Sequence, residues 1–223
     1  MNMNSNPVCF GDSLIRWPRR QWMCLLILCG LVPAGCASLF KPDTTVARHF
    51  VLTAVPTPPV VGTVPAAMVL GIGQVKIPGY LYENSLAVRS ETNEIIYQPL
   101  FLWAERLDSG IQRILAADLA ALLPTDQVRL SAWQPEEVAL GLYVTIEQFD
   151  VDVRGHAVLI ASWRIVSRKG DLVKAGENRY SKDGPVPAED PRGAVACLSQ
   201  LLADFSRQVA QNLHQSGQTS DGL

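Results

Sequence analysis

A short leader at the start of the chain constrains the rest of the sequence most strongly. Three arginines between residues 16 and 20 precede an apolar run of about eleven residues, from Trp22 to Val32, and small residues follow at 34 and 35. A helix that spans a bilayer needs about 20 apolar residues, so this run is too short to remain in the membrane. A basic segment, a short apolar segment and small residues at a cut site are typical of a secretory signal peptide. We therefore predict that residues 1–35 are a signal peptide.

The residue after the predicted cut is a cysteine, and this arrangement resembles the bacterial lipobox. In a lipobox the thiol receives a diacylglycerol before the peptide is cut in front of it. We predict cleavage between Gly35 and Cys36, with a diacylglycerol and an N-acyl chain on Cys36, although Pro33 stands where the lipobox usually has leucine. Several acyl chains give lasting membrane attachment where one chain does not. The alternative is that Cys36 is one more apolar cysteine of a leader that already contains Cys24 and Cys29.

The residue that follows the cysteine indicates where the anchor resides. In proteobacterial lipoproteins an aspartate at this position is the usual signal for retention in the inner membrane. Ala37 occupies it here, which favours the outer membrane and a domain that faces the periplasm. Residues 36–46 then form the lipidated N-terminus and a polar tether.

Composition excludes several classes of protein. The formal net charge is −2, and removal of the leader makes the remainder more acidic because the leader contains three of the arginines. Nucleic-acid binding needs a clustered basic surface, so we expect no such partner. Four of the five cysteines lie at or before Cys36, which leaves Cys197 alone in the folded part. We therefore expect no disulfide, no zinc site built on cysteine pairs and no cofactor.

Hydrophobic periodicity predicts one folded domain over residues 47–214. Alternating apolar residues indicate about seven strands. Residues 86–89 and 94–98 should form a hairpin, and three long strands at 140–153, 157–167 and 172–180 should form a meander. The alternation changes parity near Gln148, which predicts a β-bulge. Gly71 and Gly73, within a predicted strand at 68–77, mark a bulge or a close backbone approach.

Two segments have the helical period instead. The first begins near Leu107 and ends before Pro124, and the second follows the N-cap pair Asp190-Pro191 and runs to Leu213. Residues 215–223 are polar and rich in glycine and serine, so we expect a disordered tail. The predicted fold class is α+β, an antiparallel sheet of about seven strands with two amphipathic helices packed on one face.

No cluster of residues indicates catalysis or metal binding. His49, His156 and His214 lie at element ends without spaced partners, and Cys197 lies on the apolar stripe of a helix. We therefore expect no catalytic residue, no metal ligand and no enzyme.

Aromatic and apolar residues near turns are the remaining candidates for function. Tyr80, Leu81 and Trp103 lie where elements begin or end, and loop aromatics often anchor partner proteins. We favour packing at the edge of the core for these residues, and contact with a partner protein is the alternative, so both remain open at this point.

Three segments together resemble one family of proteins. The segments are Ile72-Gly73-Gln74-Val75-Lys76-Ile77-Pro78-Gly79-Tyr80-Leu81, then Trp103-Ala104-Glu105-Arg106-Leu107, and Ala161-Ser162-Trp163-Arg164-Ile165. They are similar to the motifs of the PqiC-type ABC transport auxiliary lipoproteins, from which this chain departs at Arg106, where the family usually has proline.

The resemblance implies a non-catalytic outer-membrane lipoprotein that serves a lipid transport system and maintains envelope integrity. Its partners would be an MCE-domain protein and inner-membrane transporter components. A homo-oligomeric ring is a further implication, since this fold should also leave strand edges exposed. An assembly factor or pilot for an outer-membrane channel is the alternative function.

Lipidation of Cys36 predicts a specific response to globomycin, which inhibits the lipoprotein signal peptidase. We expect a heavier, unprocessed form to accumulate in treated cells, because cleavage before Cys36 is blocked. Gel mobility of the tagged protein measures this. Unchanged mobility would contradict lipidation.

Overall fold

Eight strands and two helices make up the computed structural model, which describes residues 46–56, 58–59, 68–123, 127–130 and 133–220. The helices are α1 (Leu107–Leu122) and α2 (Pro191–Ser220), and short 3₁₀ helices lie at Gly79–Tyr82 and Pro135–Glu137. The strands are β1 (Arg48–Phe50), β2 (Leu70–Ile72), β3 (Ser85–Glu91), β4 (Glu94–Trp103), β5 (Val128–Leu130), β6 (Leu140–Asp152), β7 (His156–Ser167) and β8 (Leu172–Asp183). The predicted leader, anchor and tether, apart from residue 46, lie outside the described residues.

The sheet is organised around β6. One edge of β6 pairs antiparallel with β7 along almost its whole length, and β7 pairs in turn with β8. The other edge is shared between β2, which pairs near the start of β6, and β3, which pairs near its end. Strand β4 lies beyond β3 and β1 beyond β4, while β5 lies beyond β2.

The strand directions correct one part of the predicted fold. The α+β class and its two helices are confirmed, but the sheet is mixed, because β2 and β3 run parallel to β6, β5 parallel to β2, and β1 parallel to β4. Parallel neighbours need a long crossover connection. Here β3, β4, α1 and β5 separate β2 from β6 in the chain, and the sequence pattern does not show which strands such a connection joins.

Local predictions within the long strands are confirmed. Strands β3 and β4 form the predicted hairpin, and β6, β7 and β8 form the predicted meander. The register of β6 against β7 shifts between Ile146 and Gln148, which is the predicted bulge.

One predicted strand is shorter than its pattern suggested. Within residues 68–77, β2 covers only Leu70–Ile72 before an isolated bridge joins Lys76 to Thr145. A strand persists only where a neighbour accepts its backbone hydrogen bonds.

The helix boundaries follow the predicted signals at three of their four ends. Helix α1 begins at Leu107 and ends at Leu122, and the backbone N–H of Gly193 donates to Asp190 Oδ1 at 3.0 Å, which caps α2. Helix α2 continues to Ser220, so the predicted tail is wrong for residues 215–220, whereas 221–223 lie outside the described residues. Extending an existing helix costs far less free energy than nucleating one, and no proline interrupts this segment.

Both helices pack against one face of the sheet, which we call the inner face. Its side chains on β6 are Leu142, Val144 and Ile146 before the bulge and Phe149 and Val151 after it, and all five are buried. They join one apolar core with the helical residues Ile111, Leu115, Leu119, Leu198, Leu202 and Phe205. The opposite side, the outer face, has no helix over it among the described residues and carries alternate residues such as Tyr143, Thr145 and Asp150.

A buried carboxyl lies between the two helices. Asp118 of α1 is only 5% exposed, and Ser206 of α2 donates a hydrogen bond of 2.9 Å to its Oδ2. Burial raises the pKa of Asp118 to about 6, against the opposing effects of Ser206 and the nearby Arg207. The folded state therefore favours the protonated carboxyl. The contribution of this protonated group to the stability of the fold is present at low pH and is lost as the pH rises through about 6.

Replacement of Asp118 by Asn should stabilise the protein increasingly as the pH rises from 4 to 7. The wild-type carboxyl must ionise in a poorly solvated position above pH 6, which costs up to about 3 kcal/mol, whereas the amide stays neutral. Urea unfolding of both proteins at pH 4.5 and 7.5 measures the difference. The exposed Asp171→Asn is the control, and an equal effect of Asp118→Asn at both pH values would contradict the prediction.

Candidate functional site

The predicted anchor lies outside the part of the chain that the structure describes. Gly35 and Cys36 belong to residues 1–45, so cleavage and lipid attachment remain predictions from the sequence. The site that the structure can place consists of the predicted partner contacts and the outer face beside them.

Two of the three predicted partner contacts are core residues. Leu81 is 3% exposed, because the 3₁₀ helix Gly79–Tyr82 turns its side chain inward, and Trp103 at the end of β4 is 6% exposed. The backbone N–H of Trp103 also donates to the carbonyl of Asn84 at 2.8 Å, which fixes this end of β4. The burial of Leu81 and Trp103 agrees with packing at the edge of the core, which is the interpretation favoured from the sequence.

Tyr80 belongs instead to a polar cluster on the outer face, which we call the Asp150 cluster and which comprises Tyr80, Arg89, Gln148 and Asp150. The Tyr80 hydroxyl donates to Asp150 Oδ2 at 2.8 Å, and Arg89 Nη2 donates to the same oxygen at 2.6 Å. Gln148 Nε2 donates to Asp150 Oδ1 at 2.9 Å. Asp150 is 2% exposed, so these donors replace the water that its carboxylate would otherwise bind.

The electrostatics of the Asp150 cluster indicate a structural role. Burial, followed by the charge and hydrogen bond of Asp150, raises the pKa of Tyr80. The hydrogen bond with Asp150 raises the pKa of Arg89. At neutral pH the cluster therefore contains a neutral phenol and an ion pair, with no group prepared to act as a nucleophile or base. It ties the 3₁₀ helix and β3 to β6.

The histidines and the cysteine form no catalytic arrangement. Nδ1 of His156 lies 2.6 Å from the carboxylate of Asp183, where β7 and β8 pair, and Cys197 is buried in the core. Within the described ranges, no group of three or more His, Cys, Asp or Glu residues is placed to hold a metal ion. No helix in those ranges has both the length and the apolar character to cross a bilayer.

Two aromatic rings cover the glycines at the other end of the outer face. A Cβ on Gly71 would lie 2.5 Å from the ring of Trp133, and one on Gly73 would lie 2.7 Å from the ring of Tyr143. The close backbone approach predicted for these glycines is therefore confirmed. The aromatic partners could not be identified from the sequence, because Trp133 and Tyr143 are about 60 and 70 residues away.

A family model described as the ABC-type transport auxiliary lipoprotein component matches residues 50–210, which is most of the chain. The chain belongs to this family. The resemblance to PqiC-type auxiliary lipoproteins, inferred from the three motifs, is thereby confirmed.

Proteins of three bacteria are similar to this chain. The intermembrane transport lipoprotein PqiC of Escherichia coli (strain K12) is 24% identical over 149 residues, which cover 65% of this chain and 74% of that protein. The PqiC of Shigella flexneri matches with the same values. A crystal structure of a Xanthomonas campestris protein has the same fold, with a TM-score of 0.67 and 13% identity over 79% of this chain and 100% of that one.

The family motifs occupy structural positions in this chain. The first runs from β2 to the 3₁₀ helix at Gly79–Tyr82, and the second joins β4 to α1. In the third, Trp163 Nε1 donates to Asn178 Oδ1 at 2.8 Å on the inner face, and its ring lies against Gly176. Arg106 departs from the family's proline, yet α1 still begins at Leu107, and Arg106 pairs with Asp108 at 2.8 Å.

Tyr80→Phe separates a structural role for Tyr80 from a role in partner binding. We expect the free energy of unfolding to fall by about 1–2 kcal/mol, because the buried Asp150 loses a donor. Urea unfolding measures this change. Tyr82→Phe is the matched control, since Tyr82 is 54% exposed and should lose almost nothing. Equal stability of the two variants would contradict the structural role.

Proposed function

We propose that this protein is an outer-membrane lipoprotein that acts as a non-catalytic component of an MCE/ABC-type lipid transport system. Acyl chains on Cys36 would hold it at the periplasmic face of the membrane, and its work would maintain envelope integrity. The observation that carries the proposal is the family match over residues 50–210, directly after a lipobox-like sequence. The similarity to PqiC, an intermembrane transport lipoprotein, supports the same function.

The hydrogen bonds that carboxylates accept within the described ranges support a non-catalytic role. The carboxylates of Asp108, Asp150 and Asp204 accept hydrogen bonds from arginines, and Asp118 accepts one from a serine. Asp150 and Asp118 thereby join different elements of the fold, whereas Asp108 and Asp204 have local arginine partners at the start of α1 and within α2.

The proposed partners are an MCE-domain protein, inner-membrane transporter components and further copies of this chain. Strand β8 supports self-assembly, because in the described part of the sheet it pairs only with β7. No second strand lies beside β8 (Leu172–Asp183) in the described part of the sheet, and edge strands can pair with another chain. Repetition of one such contact by rotation would close a ring.

Purification of the tagged, lipidated protein from membranes tests the proposed partners. We expect mass spectrometry to identify an MCE-domain protein together with an ABC permease and ATPase, because the protein would be part of their complex. Light scattering of the purified complex gives the number of copies.

An unrelated outer-membrane lipoprotein with the same tag is the control for non-specific recovery. Enrichment of a secretin or of a barrel protein would support the alternative role as a pilot or assembly factor. Recovery of no MCE-domain protein would contradict the proposal.

A further inference from the structure

Two exposed cations lie beside a pocket of about 270 Å³ on the outer face of the sheet, away from the Asp150 cluster. The cations are Lys76 and Arg164. The pocket, which we call the outer-face pocket, is lined mainly by outer-face residues, among them Lys76, Tyr143, Thr145, Ser162 and Arg164.

Strand pairing brings the polar side chains of this pocket together. Lys76 is bridged to Thr145, and Thr145 stands opposite Ser162 in the β6–β7 register. These three residues therefore form a row across neighbouring strands, which are spaced about 4.8 Å apart. Arg164 and Tyr143 stand opposite each other in the adjacent row. An ammonium, a guanidinium and two hydroxyls thus face one small volume.

Arg164 is positioned by an aromatic ring. Its Cζ lies 4.9 Å from the centroid of the Tyr143 ring, and this ring also contacts Gly73 closely and lies 6.0 Å from the Trp133 ring. Stacking on a ring restricts the guanidinium to few rotamers, while its N–H groups remain free to bind an anion. A donor that is positioned in advance loses less entropy on binding.

The charge of the two cations is not neutralised by ion pairs. Elsewhere in the described ranges, Arg89, Arg106, Arg113 and Arg207 pair with carboxylates. Lys76 and Arg164 form no ion pair with a described residue. The acids at neighbouring outer-face positions, Glu147 and Glu177, do not line the pocket. The outer-face pocket therefore presents two positive charges to an incoming ligand.

We propose that the outer-face pocket binds the phosphate of a phospholipid headgroup. A phosphate offers several acceptor oxygens, which matches two cations and two hydroxyls better than the two oxygens of a carboxylate do. Arginine binds phosphate through two parallel N–H donors, and lysine adds a point charge. The choice of a phospholipid as the source of the phosphate rests on the proposed role in lipid transport.

Isothermal titration of dihexanoyl-phosphatidylglycerol into the lipidated full-length mature protein, held in non-ionic detergent, tests this proposal. We expect the double variant Lys76→Gln/Arg164→Gln to bind at least about tenfold more weakly, because it loses the charge-assisted hydrogen bonds of both cations to the phosphate. Arg154→Gln/Lys182→Gln removes the same charge at the other end of β7 and should bind as the wild type does. Lys76→Arg retains both charges and the stacked Arg164, and it should keep most of the affinity.

Three results would overturn the proposal. They are equal affinity of wild type and Lys76→Gln/Arg164→Gln, no binding of the lipid by the wild type, and binding of inorganic phosphate without binding of the lipid. Thermal unfolding of each variant shows whether it is folded. The titration contains no partner protein, so the two proposals can fail separately. Lipid binding without co-purification of an MCE-domain protein would contradict only the proposed partners. Co-purification of that protein without lipid binding would contradict only the proposed site in the pocket.

Discussion

The pairing of β6 on both of its edges is the constraint on which the rest of the structure depends. Strand β7 occupies one edge, while β2 and β3 divide the other between them. The bulge after Ile146 keeps the apolar residues on the inner face even though the sequence alternation changes parity there. Without the bulge, Phe149 and Val151 would point away from the helices, and the buried Asp150 would point into the core.

The two faces of the sheet therefore have different chemistry. The inner face and the helices share one apolar core, whose burial is the main source of stability. The outer face combines the Asp150 cluster at one end with the aromatic rings, glycines and free cations at the other. In the proposed function, lipids and partner proteins would meet the domain through such exposed features, which include the edge of β8.

Some parts of this structure were predicted from the sequence and others were not. The difference depends on how far apart in the chain the contacting residues are. The hairpin, the meander, the bulge and the start of α1 depend on residues close together in sequence, and all were predicted. The parallel pairing of β2 and β3 with β6 joins residues about 60–70 positions apart. For Tyr80, Leu81 and Trp103 the sequence favoured packing at the edge of the core but left partner contact open, because a residue near a turn can face either the core or solvent.

By itself, the sequence determined the α+β class, both helices, the family resemblance and the prediction of an anchor at Cys36. These follow from local periodicity, from the short apolar leader and from motifs that can be read along the chain. Only the tertiary structure decided that Tyr80 and Arg89 donate hydrogen bonds to Asp150 and that Lys76 and Arg164 converge on one pocket. These groupings depend on strand order and register, which arise when distant segments pair, and no single segment contains that information.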